Sequence, residues 1–60
     1  MNKYLVDLFE HKNDEEVIIF VCWADDKEHA VEQALDAYKE GYILSVFDTG
    51  VEYEKSISIE

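Results

Sequence analysis

Three features of the sequence predict an α+β fold of order ββαββ, with one helix packed on a mostly antiparallel four-stranded sheet. Residues 28–40, EHAVEQALDAYKE, place Val31, Ala34, Leu35 and Tyr38 at the spacing of a helix with one buried stripe. Two runs rich in β-branched and aromatic residues precede this segment and two follow it. Short polar links separate the runs, as in hairpins, and one helix against an antiparallel-rich sheet is the simplest packing of that order.

Residues 3–11, KYLVDLFEH, read as the first strand. Tyr4, Val6 and Leu8 share one face, while Leu5 and Phe9 point the other way around Asp7. KNDE follows with turn chemistry, since Asn and Asp tolerate unusual backbone angles. Residues 16–23, EVIIFVCW, form the second strand of the expected hairpin. In ADDKE, Asp25 is the expected helix cap, with Glu28 three residues later in an aspartate version of the capping box. Asp26 and Glu28 complement the positive end of the helix dipole. The helix is expected over residues 26–40, with Lys39 in its last turn and Gly41 stopping it in the left-handed conformation. YILSVFD and VEYEKSISI then read as strands three and four around a turn at Thr49-Gly50. In the last, Val51, Tyr53, Ile57 and Ile59 alternate with Glu52, Glu54, Ser56 and Ser58. A strand order of 2-1-3-4 would make every neighbour antiparallel. Residues 1–60 form a single domain, with no proline, linker or internal repeat.

One helix covers one face of a sheet, yet the first three strands carry apolar residues on both. In the second, Val17, Ile19, Val21 and Trp23 face one way and Ile18, Phe20 and Cys22 the other. Sheets buried on both faces read in this continuous manner. A homodimer is the expected cover, with Phe9, Ile18, Phe20 and Trp23 as candidates for the self-association face. A hydrophobic docking site for another protein is the alternative. Self-association would also help a chain this short, which buries only about 60% of its unfolded surface as a monomer.

Composition narrows the function classes. Fifteen acids face five lysines, with no arginine, for a formal charge of −10. Direct nucleic-acid binding is disfavoured, because phosphate contacts need Lys and Arg. An anionic membrane is disfavoured likewise, and the apolar run from Val17 to Ala24 falls far below the roughly 20 residues of a membrane span. Apolar residues make up 48% of the chain and aromatic residues 13%, which argues against disorder. Cys22 is the single cysteine, so no intrachain disulfide forms; one thiol and no secretory leader suit a cytoplasmic protein.

No constellation for chemistry stands out. Cys22 lies inside an apolar run and reads as a small buried residue with a raised pKa. Neither His11 nor His29 has a neighbour that would make it a base for that thiol. Cys22, Asp25, Asp26 and His29 lack the spacing of a zinc site. DDKEH is not an EF-hand loop, and NDEE is only a loose cluster of acids. Asp7 reads as a solvent-facing break in an edge strand. Gly41 and Gly50 form no phosphate-binding pattern. No catalytic residue, cofactor or metal is expected, and the chain does not read as an enzyme.

The acids themselves are ordered. Glu28, Glu32, Asp36 and Glu40 recur every fourth residue, which stacks four like charges on one side of a helix about 6 Å apart. Each such pair costs a few tenths of a kcal/mol, roughly 1 kcal/mol over the ridge before screening. Asp14, Glu15, Glu16, Asp25 and Asp26 would extend the ridge if the hairpin turn lies near the helix. One DNA strand carries a charge about every 3.4 Å, so the ridge offers a coarser version of that field. With these residues and its lack of arginine, the chain resembles the small acidic DNA-mimic proteins of bacteriophages, which occupy host DNA-binding proteins. The similarity is one of character and covers about a third of the chain. It implies a host-takeover inhibitor in the bacterial cytoplasm whose partner is a basic nucleoid protein, DNA-repair enzyme, nuclease or polymerase. A dimeric mimic matches a dimeric groove, as in HU-type nucleoid proteins. The rival expectation is a small structural or adaptor protein docking through its apolar sheet face, with acids for solubility only.

Overall fold

A computed structural model describes residues 1–52 of the chain. The elements are β1 (Asn2–Phe9), β2 (Ile18–Ala24), α1 (Lys27–Ala37) and β3 (Tyr42–Glu52). They form one antiparallel sheet of order β2-β1-β3, with α1 packed on it. β2 and β3 therefore run parallel on either side of β1, and α1 is the crossover between them. The expected hairpin and the 2-1-3 part of the strand order are present.

The register explains which face is buried. Tyr4, Val6 and Leu8 lie opposite Cys22, Phe20 and Ile18, and directly opposed side chains point to the same face. That face meets the helix. Tyr4, Val6, Leu8, Cys22, Ala24, Ala30 and Ala34 form the core, with Ile18, Phe20, Tyr38, Ile43 and Val46 packed against it. Three of the core residues are alanines with no exposed surface, so the helix backbone approaches the sheet closely. Ile18 and Phe20, expected on the self-association face with Phe9 and Trp23, are thus on the helix side. The alternation of β2 separates them from Trp23.

The helix is shorter than expected at its far end and starts one residue later. Asp26, not Asp25, is the cap: its extended backbone (φ −157°, ψ 176°) lets its side chain accept from the His29 N–H at 2.8 Å. At the other end the Tyr38 N–H bonds to the Ala34 carbonyl at 2.8 Å and the backbone then leaves helical angles. The Tyr38 ring turns inward to meet Phe20 edge-on, with centroids 6.3 Å apart. Gly41 does not take the left-handed conformation; among the described residues Gly50 alone has positive φ, at 81°. A Cβ on Gly41 would lie 2.8 Å from Leu8 Cδ1 and 3.0 Å from the Tyr38 carbonyl oxygen, so this glycine provides room.

The largest correction concerns Thr49-Gly50. These residues do not reverse the chain, and among the described residues the sheet has three strands, not four. Tyr4 pairs with Asp48 and Asn2 with Glu52, so β3 carries two extra residues across a bulge. Its backbone is satisfied locally: Gly50 N–H donates to Asp48 Oδ1 (2.9 Å) and Val51 N–H to Thr49 Oγ1 (3.2 Å). Glycine at positive φ serves a bulge as well as a turn. Val51 and Glu52, expected to open a fourth strand, belong to β3; the rest of that segment lies outside the described residues.

Among the described residues, nothing covers the sheet's second face. Leu5 sits between Val21 and Phe47, and Asp7 between Ile19 and Ser45. Ile19, Val21 and Phe47 are 62%, 50% and 51% exposed. Asp7 is on the central strand, not an edge, and accepts from Ser45 Oγ at 3.4 Å. No helix among the described residues is long and apolar enough to cross a membrane.

Candidate interaction surface

Helical geometry orients the acids. Each four-residue step turns about 40° and rises about 6 Å, so Glu28, Glu32 and Asp36 form a shallow spiral along α1. Ala30 and Ala34 mark the buried side, and Glu32 points about 180° from the direction midway between them. All three carboxylates are exposed. Glu28 and Glu32 form no ion pair among the described residues, whereas Asp36 Oδ1 lies 3.2 Å from Lys39 Nζ. Both members of that pair are more than three-quarters exposed, a setting in which ion pairs contribute little and exchange freely with water. His29, Glu32, Gln33 and Asp36 line a shallow depression along this side.

Glu40 is not part of the helical line. The helix ends at Ala37, and Glu40 occupies the turn before Gly41, where its Oε1 lies 3.5 Å from His11 Nε2. The other nitrogen of His11 faces Asp14 Oδ2 at 3.7 Å. A tight turn builds this arrangement: Asp14 N–H donates to the His11 carbonyl (3.0 Å), and His11 N–H donates to Asp14 Oδ2 (3.2 Å). The β1–β2 loop, with Asp14, Glu15 and Glu16, therefore joins the acidic surface at the C-terminal end of α1. Asp25 and Asp26 join it at the N-terminal end, where His29 Nδ1 lies 3.9 Å from Asp25 Oδ2. The supporting acids thus flank both ends of the ridge.

Asp48 is an acid of this surface that sequence spacing did not single out. Tyr4 reveals it: burial, then the negative fields of Asp48, Asp26 and Asp25, push its hydroxyl above the ordinary range. β1–β3 register brings Asp48 there, opposite Tyr4. Glu10, His11 and Asp14 place ligand atoms within 4.8 Å of one another, the one group among the described residues able to offer a metal three ligands. All three are exposed, and both His11 nitrogens already face carboxylates.

Cys22 is buried, and desolvation pushes its thiol above the ordinary value. Both histidines are engaged with carboxylates. A buried neutral thiol is a poor nucleophile. Comparison with known proteins gives no match: no family model, no curated protein and no solved structure is significantly similar to the chain.

Proposed function

We propose that this chain is a non-enzymatic, homodimeric acidic decoy that binds a basic nucleic-acid-binding protein and competes with its DNA in the cytoplasm. The observation that carries the reading is the placement of Glu28, Glu32 and Asp36 opposite the packed side of α1, with the first two forming no ion pair among the described residues. A cationic groove shaped for phosphate meets carboxylates at about 6 Å intervals on a rigid rod. Long-range attraction to a −10 chain speeds the encounter. Asp14, Glu15, Glu16, Asp25, Asp26 and Glu40 broaden the field at the two ends. The buried state of Cys22 supports a binding rather than a catalytic role.

The exposed outer sheet face supports a second reading, an adaptor that docks through Ile19, Val21 and Phe47. The readings differ in their response to salt. Capture from bacterial lysate followed by a salt step releases basic DNA-binding proteins from a decoy, while an apolar contact holds. A captured protein should lose its DNA to the wild-type chain and keep it against the Glu32→Lys/Asp36→Lys variant. Equal competition by both chains would end the decoy reading.

A further inference from the structure

The outer face of the sheet carries almost none of the chain's charge. Of the residues that the two ladders place there, only Lys3 and Asp7 are charged, one of each sign. Neighbouring acids lie on the helix side or at the ends of α1. Asp48 and Glu52 pair with Tyr4 and Asn2, on the helix face of β1. Asp26 caps α1, and Asp25 lies beside the His29 ring. Asp14 and Glu40 flank His11.

Lys3 and Asp7 are also placed symmetrically. Both are half-buried on β1, two residues to either side of Leu5, or about 7 Å along the strand. Across the sheet from Leu5 stand Val21 on β2 and Phe47 on β3, both exposed. Neither Lys3 nor Asp7 forms an ion pair among the described residues.

We propose that the outer faces of two copies pack against each other about a two-fold axis running across the strands, over Val21, Leu5 and Phe47. Each of these residues then meets its own counterpart, as in any isologous interface. Lys3 of each copy lies over Asp7 of the other, so the ion pair forms twice. The product is a two-layer sandwich of three-stranded sheets with both helices outside.

Charge selects both the occupant and its orientation. A two-fold running along β1 would set Lys3 on Lys3 and Asp7 on Asp7, a costly juxtaposition. The axis across the strands turns both contacts attractive. A basic partner would meet Lys3 here and find the carboxylates on the opposite side of the molecule. A second −10 chain is repelled from those carboxylates, but on this face it meets no net charge. The Lys3–Asp7 pair sets the register, since desolvation offsets much of its attraction, and burial of the apolar row supplies the affinity.

Stacked sheets lie about 10 Å apart, with strands aligned to within about 30°. With the helices outside, the two acidic ridges sit on opposite surfaces of the sandwich. They are further apart than the roughly 8 Å screening length at physiological salt, so they do not drive the copies apart. Asp26, in the helix layer, stays on the far side of its own sheet from the second copy. A second copy on this face leaves none of it for an adaptor's partner.

The inference rests on the homodimer of the proposed function and not on what the ridges bind. Sedimentation of the full chain over a concentration series tests it. Asp7→Lys sets lysine against lysine, and Lys3→Asp sets acid against acid, so each should weaken the dimer at least about tenfold. The two variants mixed in equal amounts should dimerise again, because each Lys then faces an Asp; a misfolded chain would not. The swapped chain Lys3→Asp/Asp7→Lys should dimerise with itself and not with wild type. Glu32→Lys/Asp36→Lys, on the outside of the sandwich, should remain dimeric. A monomeric wild-type chain, whose outer face is left to residues 53–60 or to another protein, would overturn the proposal. So would single reversals that leave the dimer unchanged, a mixture that stays monomeric, or a dimer lost with the ridge. None of these outcomes alters the DNA-competition result.

Discussion

The side chain of Asp26 accepts the His29 main-chain N–H at 2.8 Å, and this bond sets where the acidic helix begins. Asp25, its neighbour in an identical side chain, instead faces the His29 ring at 3.9 Å. The pair separates a capping role from a surface charge. Asp26→Ala should lower stability by about 1 kcal/mol, the usual loss of an N-cap, and Asp26→Asn should recover most of it. Asp25→Ala should change stability by less than about 0.5 kcal/mol, as exposed pairs do. Urea unfolding of the three variants measures both effects. Equal losses at 25 and 26 would place the cap elsewhere.

The two glycines should fail for different reasons. At Gly41 a methyl group meets Leu8 Cδ1 at 2.8 Å and the Tyr38 carbonyl oxygen at 3.0 Å. Gly41→Ala should therefore cost about 1–3 kcal/mol by overpacking, and Leu8→Ala in the same chain should relieve part of the clash while adding its own cavity. Gly50 has open space around it but a φ of 81°. Gly50→Ala should cost about 1 kcal/mol through left-handed strain, and Gly50→Asn less, since Asn tolerates that region. Thermal unfolding of the four variants reads these differences.

These residues also show how far the sequence could be read. The alternation of β1 and β2 was legible because burial imposes its period of 2 directly on residue type. Of the expected helix stripe only Ala34 is buried, with Val31, Leu35 and Tyr38 half-buried, and Ala30, outside that stripe, is buried instead. The position of the cap was not, since Asp25 and Asp26 offer the same chemistry and backbone angles at one residue decide between them. Thr49-Gly50 carries the same residues in a turn as in a bulge; the pairing of Asn2 with Glu52 across β1–β3 makes the distinction, and it is non-local. Glu40 kept the four-residue spacing of the ridge, but the inward turn of Tyr38 onto Phe20 ended the helix before it. Of the acidic surface, Glu28, Glu32 and Asp36 followed from spacing alone. Asp48 became visible only once the β3 register placed it by Tyr4.

Stability should fall on the alkaline side. Burial raises the Cys22 thiol above its ordinary value of 9.0, and burial with the Asp48, Asp26 and Asp25 fields raises the Tyr4 hydroxyl above 10.0. In that window the unfolded chain has released protons that the native chain still holds, so unfolding gains ground as pH rises. The contribution is complete below the unfolded values and is lost as pH passes through the folded ones. Urea midpoints should be flat near neutrality with respect to these groups and decline from about pH 9. Cys22→Ala should remove the thiol's part of that decline, leaving the tyrosine part at higher pH. A midpoint that rises between about pH 8 and about pH 10, the range in which the free groups titrate, would contradict the assigned burial.

Glu32 sets stability against binding. Its carboxylate lies between Glu28 and Asp36 at four-residue spacing on either side, and neither repulsion is relieved at position 32 by a lysine. Glu32→Lys replaces two repulsive pairs with two attractive ones, the first in the favourable order of Glu before Lys. At about 0.2–0.5 kcal/mol for each pair, the fold should gain roughly 1 kcal/mol. For a domain of this size, that corresponds to an unfolding midpoint about 4–8 °C higher. The same change breaks the ridge at its most outward point and should sharply weaken capture of a basic DNA-binding protein. Lys39→Ala is the converse: it frees Asp36 from its 3.2 Å partner, should change stability little, and should strengthen capture at low salt. Calorimetry of both variants beside the competition assay tests the trade. A ridge selected only for solubility would show the stability gain of Glu32→Lys without any loss of binding.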